Sequence, residues 1–262
     1  MKDNPIAHSF HIPVMCIGFT IDTPVKVAKY GISSVISLVD DSLMERMREF
    51  YCTQLNIPFI PITQKSEDHR ADRITAYLNL INIIAKEKFE EVKNSIPGNN
   101  SLIDRYIELL PENSIIRHQY EEFLKNNTAD DGLIWLRKQM QPGCIDVNIM
   151  TKLDKDNYRN NIKLPVEFND AHAALRCFAH SDLHSSIILS AGMNPRLYSY
   201  MENFNNFYPD KDGKLEKKIT LKVSDYRSAF IHGKYLAKKG LWVSEYRIES
   251  GLNCGGHVFA TN

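Results

Sequence analysis

Residues 242–262 read W-V-S-E-Y-R-I-E-S-G-L-N-C-G-G-H-V-F-A-T-N. A β-like run, Val243 to Ile248, leads into a glycine-rich turn, and His257 stands just beyond that turn. Glycines this close together let a backbone approach a ligand, because no Cβ stands in the way. An imidazole beside such a turn is placed for proton transfer, although a tight turn with an incidental histidine explains the same letters. The sequence upstream of the turn is needed to distinguish a ligand-binding turn from a tight turn with an incidental histidine.

Upstream of this turn, apolar runs alternate with helical patterns along most of the chain. Each apolar run except the last is followed by a predicted helix, and such alternation indicates parallel strands. Runs that are apolar throughout fit a sheet covered on both faces. The predicted strands are His11–Gly18, Ser34–Val39, Ile145–Met150, Ser186–Ala191, Ile219–Val223 and Val243–Ile248.

Residues 63–141 have a different sequence pattern. Their apolar residues have helical spacing, and Pro, Gly or Asn separates the helical segments. We therefore predict an all-helical insertion between the second and third strands. Its charged residues suit solvated helix faces, and binding of a partner is the alternative. The predicted parts of the chain are 1–62, the helical insertion 63–141, and 142–262. The predicted helices of the insertion are Arg73–Lys93, Leu102–Leu110, Ile116–Leu124 and Leu133–Met140.

The number of strands and the remaining length favour one α/β architecture. A (β/α)8 barrel takes about 250 residues, so six βα units need about 190. Without the insertion, the 262-residue chain keeps 183 residues. We therefore predict a (β/α)8 TIM-barrel type of fold that is incomplete after its sixth strand. A doubly wound, six-stranded open sheet is the alternative, and either sheet would have open edges that need a partner.

Composition excludes several classes of protein. Lys plus Arg equals Asp plus Glu at 32 each, so net charge gives no sign of a nucleic-acid or membrane partner. The five cysteines show no C-x-x-C spacing, which argues against a disulfide frame and a zinc ribbon. The start of the chain lacks the apolar core of a signal peptide. We therefore predict a cytoplasmic protein without a metal site.

The segment Ser250 to His257 resembles the Q-G-x-E-A-G-G-H signature of the nitronate monooxygenases, which are FMN-dependent TIM-barrel flavoproteins. In that family the signature follows the sixth barrel strand, as it does here. The departures are Ser250 for the family's Gln, Asn253 for its Glu and Cys254 for its Ala.

Three further segments are similar to the same family. Ile12–Met15, followed by the helix that starts near Thr23, looks like the family's opening strand and first helix. Val147-Asn148-Ile149 is similar to its third strand, whose Asn lies beside the flavin. The unit from Val223 to Gly240 is similar to the family's strand and helix before the signature.

The resemblance implies an FMN-dependent oxidoreductase. His257 would be the catalytic base, abstracting a proton α to a nitro or carbonyl group of an activated carbon acid, and flavin reduction would follow. Lys222 lies in a strand with apolar neighbours, so it either pairs with an acid such as Asp146 or steadies the flavin's N1–C2 edge. The implied flavin-binding residues are Met15, Gly18, Asn148, Lys222, Ser250, Gly251, Gly255 and Gly256.

The sequence leaves open how the flavin site would be completed, and it allows two other functions. In the family, the FMN phosphate binds loops after the seventh and eighth strands, which residues 1–262 do not include. The missing units would come from a longer protein, from a second copy in a homo-oligomer, or from another chain.

The first alternative function is a non-catalytic barrel remnant whose helical insertion is an interaction module. A metal-dependent hydrolase that uses His257, Cys254 and Asp40 is the second alternative, and flavin binding separates the oxidoreductase from both.

Overall fold

The computed structural model describes residues 7–8, 10–14, 20–98, 100–152, 154–190 and 192–249. Its fold is mixed α/β with a parallel sheet. The strands are β1 His11–Ile12, β2 Ser33–Ser37, β3 Ile145–Met150, β4 Tyr158–Arg159, β5 Ile162–Lys163, β6 Ser186–Ser190, β7 Lys218–Val223 and β8 Val243–Ile248. The α-helices are α1 Thr23–Val27, α2 Asp41–Gln54, α3 His69–Asn94, α4 Leu102–Leu109, α5 Ile115–Lys125, α6 Ala129–Gln139, α7 Asp170–His180, α8 Pro195–Tyr200 and α9 Tyr226–Ala237. Short 3₁₀ turns are Ala28–Tyr30, Val166–Phe168, Met201–Asn203 and Asn205–Phe207.

The sheet has six strands in the order β1-β2-β3-β6-β7-β8, which is also their order along the chain. The pairs β1–β2, β3–β6, β6–β7 and β7–β8 are parallel. Between β2 and β3, the N–H of Ser34 donates to Cys144 O and the N–H of Leu38 donates to Asn148 O, with one constant offset along the chain. This pair is therefore parallel too. A doubly wound sheet reverses its strand order at a switch point, and the order of the described strands has no reversal.

The described residues fall into two compact units. The first lies within Met1–Ile36 and Leu80–Ile145, and the second within Ser37–Asn79 and Asp146–Asn262. In the first unit, one apolar cluster ties the helices α4, α5 and α6 to the end of α3. Its buried members are Ala7, Phe89, Val92, Ile103, Tyr106, Leu110, Ile116, Tyr120, Leu136 and Met140.

In the second unit, the two faces of the sheet differ in chemistry. Successive side chains of a strand point to opposite faces, so Asp146 and Asn148 lie on one face of β3, and Val147 and Ile149 lie on the other. The strand registers extend both sets across β6, β7 and β8. The apolar face includes Val147, Ile149, Ile187, Leu189, Ile219, Leu221 and Val223, all of them buried. The other face, called here the polar face, carries Asp146, Asn148, Ser190, Thr220, Lys222, Glu245 and Arg247.

Most predicted elements are present with small changes at their ends. The bounds predicted for β3 and β8 are confirmed, and the four predicted helices of residues 63–141 are all found. Gly31 ends the first helical segment with φ 77°, the left-handed conformation that favours glycine. Asp22 holds the N-cap position of α1, and Pro24 lies in the first turn of that helix.

The β4–β5 hairpin was not predicted from the sequence. Its two strands pair antiparallel and have only two residues each, too few to show an alternating pattern. The turn consists of Asn160 and Asn161, which have φ of 50° and 63°. Two successive positive φ angles are typical of a type I′ turn, which asparagine adopts more easily than most residues.

Candidate functional site

The structure describes two of the residues that the resemblance assigns to flavin binding. Asn148 lies on β3 and Lys222 on β7, and the strand registers place both on the polar face. Sequence-based reasoning therefore selected two residues that share one side of the sheet. The other assigned residues lie outside the described part of the chain: Met15, Gly18, Ser250, Gly251, Gly255, Gly256 and the proposed base His257.

Asn148 is a buried amide in the middle of the polar face. Its side chain is 6% exposed, and its Nδ2 donates to Ser37 Oγ at 3.4 Å. That distance lies beyond the usual range of an N–H···O bond, so the bond is weak. The amide therefore keeps hydrogen-bonding capacity that a better acceptor could use.

Lys222 lies nearer the carboxyl end of the same face. Its Nζ is 2.7 Å from Glu249 Oε1, and its side chain keeps 27% of its exposure. The ion pair of Lys222 is thus formed with Glu249 rather than with Asp146, the acid suggested by the sequence. Because the lysine is only partly buried, this pair is open to exchange with another anion.

Arg247 shows that the sheet of this unit curves toward its polar face. The guanidinium lies 2.7 Å from Glu245 on its own strand and 3.4 Å from Asp146 on β3. Strands β6 and β7 lie between β8 and β3, so a flat sheet would separate the two outer strands by about 14 Å. An arginine and an aspartate standing upright on a flat sheet do not span that gap. The contact therefore requires a concave polar face.

A second set of polar side chains lies at the carboxyl ends of β3 and β6. We call Thr151, Asp154, His172 and Asn194 the carboxyl-end cluster. Nδ1 of His172 donates to Asp154 Oδ1 at 3.1 Å, and Asn194 Nδ2 donates to Asp154 Oδ2 at 3.3 Å. The same Asn194 amide donates to Thr151 O at 3.1 Å. The cluster thus ties the loop after β3 to the loop after β6.

The carboxylate of Asp154 is the centre of this cluster. Its side chain is 6% exposed, and it also accepts the N–H of Ala171 in the first turn of α7, at 3.1 Å. Burial alone would raise the pKa of Asp154, but the bonds from His172, Asn194 and the Ala171 N–H outweigh burial and hold that pKa below its usual value. Asp154 is therefore an ionised anchor at neutral pH.

Local sequence explains how the β6 loop reaches the cluster. Asn194 is the N-cap of α8, where its Oδ1 accepts the N–H of Leu197, and Pro195 follows at the first helical position. Gly192 has φ 107°, and a Cβ built on it would stand 2.4 Å from Lys152 Cε. The positive φ favours glycine here, whereas the flexible end of the lysine could move aside.

The carboxyl ends of parallel strands are the usual place for ligand sites in α/β sheets. Thr151, Lys152, Gly192 and Asn194 follow directly from the ends of predicted strands, and the structure places them there. Asp154 and His172 were missed by sequence-based reasoning. One sequence feature could have pointed to them. His172 lies in the apolar helix D-A-H-A-A-L-R-C-F-A-H, and a buried imidazole needs a polar partner.

Sequence-based reasoning also overlooked the most buried lysine, Lys217. It lies just before β7, is fully buried, and its Nζ donates to Ser181 O at 2.7 Å and to Leu183 O. These carbonyls follow the last turn of α7, so the ammonium caps that helix. Burial lowers the pKa of Lys217 to about 8.

The lowered pKa of Lys217 predicts a pH dependence of stability. A folded-state pKa below the unfolded one means that the unfolded chain binds more protons between pH 8 and pH 10, so unfolding becomes more costly as pH rises through that range. The free energy of unfolding should therefore rise with pH by about 2 kcal/mol more in the wild type than in Lys217→Met. Urea denaturation at several pH values measures this difference. Parallel curves for the two proteins would contradict it.

The described residues include neither a metal-binding cluster nor a helix that could span a membrane. No group of three or more His, Cys, Asp and Glu side chains is arranged to hold a metal ion within the described ranges. Asp40, named above for a hydrolase, caps helix α2 by accepting the N–H of Leu43 at 3.0 Å. Among the helices that the structure describes, none is both long enough and apolar enough to cross a membrane.

The geometry thus offers a concave polar face with an amide and a cation, and a carboxylate-centred cluster at the neighbouring strand ends. Comparison with known proteins adds no assignment to it. The chain matches no family model, no curated protein and no solved structure.

Proposed function

We propose that this chain belongs to an FMN-dependent oxidoreductase similar to the nitronate monooxygenases, and that its polar face holds the isoalloxazine ring. The observation that carries the proposal is the position of Asn148 and Lys222. Both were assigned to the flavin from sequence alone, and both lie on the concave side of one parallel sheet. One amide and one ammonium on the same face can bond one ring edge together.

The architecture proposed with this function is an incomplete (β/α)8 barrel with residues 63–141 inserted between its second and third strands. Two features support it. The six strands follow one another in chain order, as barrel strands do. The contact between Arg247 and Asp146 requires curvature in the direction that closes a barrel.

The residues of the polar face fit the pyrimidine edge of a flavin. That edge presents carbonyl oxygens and an N–H, and the amide of Asn148 can both donate and accept. The ammonium of Lys222 suits the N1–C2 side, where negative charge gathers on reduction. Its present partner Glu249 is 2.7 Å away and partly exposed, so binding would exchange that ion pair.

When bound, the flavin would supply the two-electron acceptor. The chain's own residues would orient the ring and move one proton. Asn148 would fix the ring edge, Lys222 would hold a positive charge beside it, and the imidazole of His257 would take the proton from the carbon acid. The part assigned to His257 rests on the resemblance alone.

Titration with FMN and with riboflavin tests the proposal. Lys222→Met should weaken binding of both flavins by about tenfold, because the lost contact is to the ring and not to the phosphate. Asn148→Ala should weaken both in the same manner. Quenching of flavin fluorescence by the full-length protein gives the dissociation constants.

Lys218→Met is the matched control for Lys222→Met. Lys218 lies on the same strand and on the same face, but at the exposed amino end, away from the proposed ring site. It should leave both dissociation constants unchanged. Equal effects of the Lys222 and Lys218 variants, or an effect on FMN without one on riboflavin, would remove Lys222 from the ring site.

The second candidate is a non-catalytic interaction module, and one observation favours it. Large apolar side chains are exposed on α9, directly before β8 and on the edge strand β8, the last elements that the structure describes. They are Tyr226, Phe230, Ile231, Trp242, Tyr246 and Ile248. Exposed apolar groups of this size commonly mark a contact surface. A full-length protein that binds neither flavin would favour this candidate.

A further inference from the structure

The second unit contains a cavity at the carboxyl ends of β2 and β3, beside the first turn of α7. Its volume is about 330 Å³, at the lower end of the range for sites that bind small molecules. Half of its lining is apolar and half is charged. The lining residues are Leu38, Val39, Arg70, Ile149, Met150, Lys152, Asp154, Lys155, Asp170 and Ala171.

This cavity is separate from the proposed flavin site. Ile149 is part of its lining and alternates on β3 with Asn148 of the polar face. Side chains that alternate in this way point to opposite faces of the sheet. The lining includes neither Asn148 nor Lys222, so a ligand in the cavity would not take the place of the ring between those two residues.

The two acids of the lining are already bonded. Asp154 is held by the carboxyl-end cluster. Asp170 accepts Asn157 Nδ2 at 3.1 Å and lies 3.6 Å from Arg70 Nε. Neither carboxylate is therefore placed to bind a cation from solution.

The cations of the lining are less completely bonded. Arg70 donates to Asp41 at 2.9 Å and to Val39 O at 3.0 Å, but its buried Nε–H makes no hydrogen bond. Lys152 and Lys155 form no ion pair with any residue in the described ranges. The cavity thus has positive charge to offer from Lys152 and Lys155, and that charge favours an anion.

We propose that this cavity binds a small organic anion, namely a carboxylate carried on a short hydrocarbon body. The hydrocarbon would lie against Leu38, Ile149 and Met150, where burial of apolar surface is favourable. The carboxylate would lie at the mouth between Lys152 and Lys155. A purely inorganic anion would leave the apolar floor unused.

Phenylacetate and its neutral amide, phenylacetamide, form a matched pair of probes. They share an apolar body and differ in the charge that the lysines would recognise. Titration of the isotope-labelled, full-length protein, followed by amide chemical shifts in NMR spectra, should give saturable binding of phenylacetate with a dissociation constant below about 1 mM. Phenylacetamide should bind about tenfold more weakly.

The double variant Lys152→Met/Lys155→Met should bind phenylacetate about tenfold more weakly and phenylacetamide as before. Both lysines are exposed, so the variant should keep the wild-type spectrum elsewhere. Lys211→Met, an exposed lysine outside the cavity lining, is the control and should change nothing. Absence of saturable binding, equal affinity for acid and amide, or wild-type affinity in the double variant would each overturn the proposal.

The flavin titrations keep this proposal distinct from the proposed function. The double lysine variant should bind FMN and riboflavin as the wild type does, because Asn148 and Lys222 do not line the cavity. Loss of flavin binding together with phenylacetate binding would show that the two sites are one, and would refute the separate cavity.

Discussion

Replacement of Gly143 by alanine should lower the free energy of unfolding by more than about 3 kcal/mol. A Cβ built on Gly143 would stand 2.0 Å from the carbonyl oxygen of Ile32 and 2.8 Å from the backbone nitrogen of Ser33. Backbone atoms cannot swing aside as the end of a side chain can, so the strand pair β2–β3 would have to separate at its start. Glycine at such a position marks the close approach of two backbones. Urea denaturation followed by circular dichroism measures the loss.

Gly213→Ala is the control that separates steric clash from loss of glycine freedom. Gly213 has φ 76° and open space around its Cβ position. Alanine there would bear only the strain of the left-handed conformation, about 1 kcal/mol. A loss for Gly143→Ala that is no larger than this would mean that the two backbones are not in close contact.

Asp154→Ala should have the second largest effect, a loss of about 3 kcal/mol in the free energy of unfolding at neutral pH. The substitution removes the acceptor shared by His172, Asn194 and the N–H of Ala171. Buried donors that lose their acceptor bear a desolvation penalty that water cannot relieve. Asp212→Ala, in an exposed loop, should leave the unfolding midpoint almost unchanged.

The pH dependence of the Asp154 effect has a definite sign. The pKa of Asp154 is lower in the folded chain than in the unfolded one. Its contribution is therefore complete above the unfolded pKa of about 4 and is lost as pH falls through the lower folded value. The difference between wild type and Asp154→Ala should shrink below about pH 4. A difference that is constant down to the acid transition would contradict the ionised anchor.

The sheet could be predicted because its longer strands have a recognisable sequence pattern. Ile145–Met150 and Val243–Ile248 are bounded by turn residues, and their lengths suit strands alone. The hairpin at Asn160 and Asn161 could not be found in the same way, because two-residue strands carry no period. Helix α8 ends at Tyr200 and gives way to 3₁₀ turns, and the position of such an end cannot be read from the sequence pattern.

Only part of the candidate site could be predicted from the sequence. The sequence predicts that Asn148 and Lys222 each alternate with apolar neighbours, and the strand registers then place both on one face. The partners of these two residues, Ser37 and Glu249, could not be predicted, because strand register and the curvature of the sheet bring them close. Asp154 and His172 are 18 residues apart in the sequence and meet only because α7 begins beside the end of β3.

The central claim is that the polar face binds a flavin, and an absorbance spectrum tests it most directly. The purified full-length protein is incubated with FMN, and unbound FMN is removed by gel filtration. We predict visible flavin bands that elute with the protein in near-equimolar amount, and bands that weaken strongly in Lys222→Met but not in Lys218→Met. A protein fraction without flavin bands, from a sample whose circular dichroism shows it to be folded, would contradict the claim.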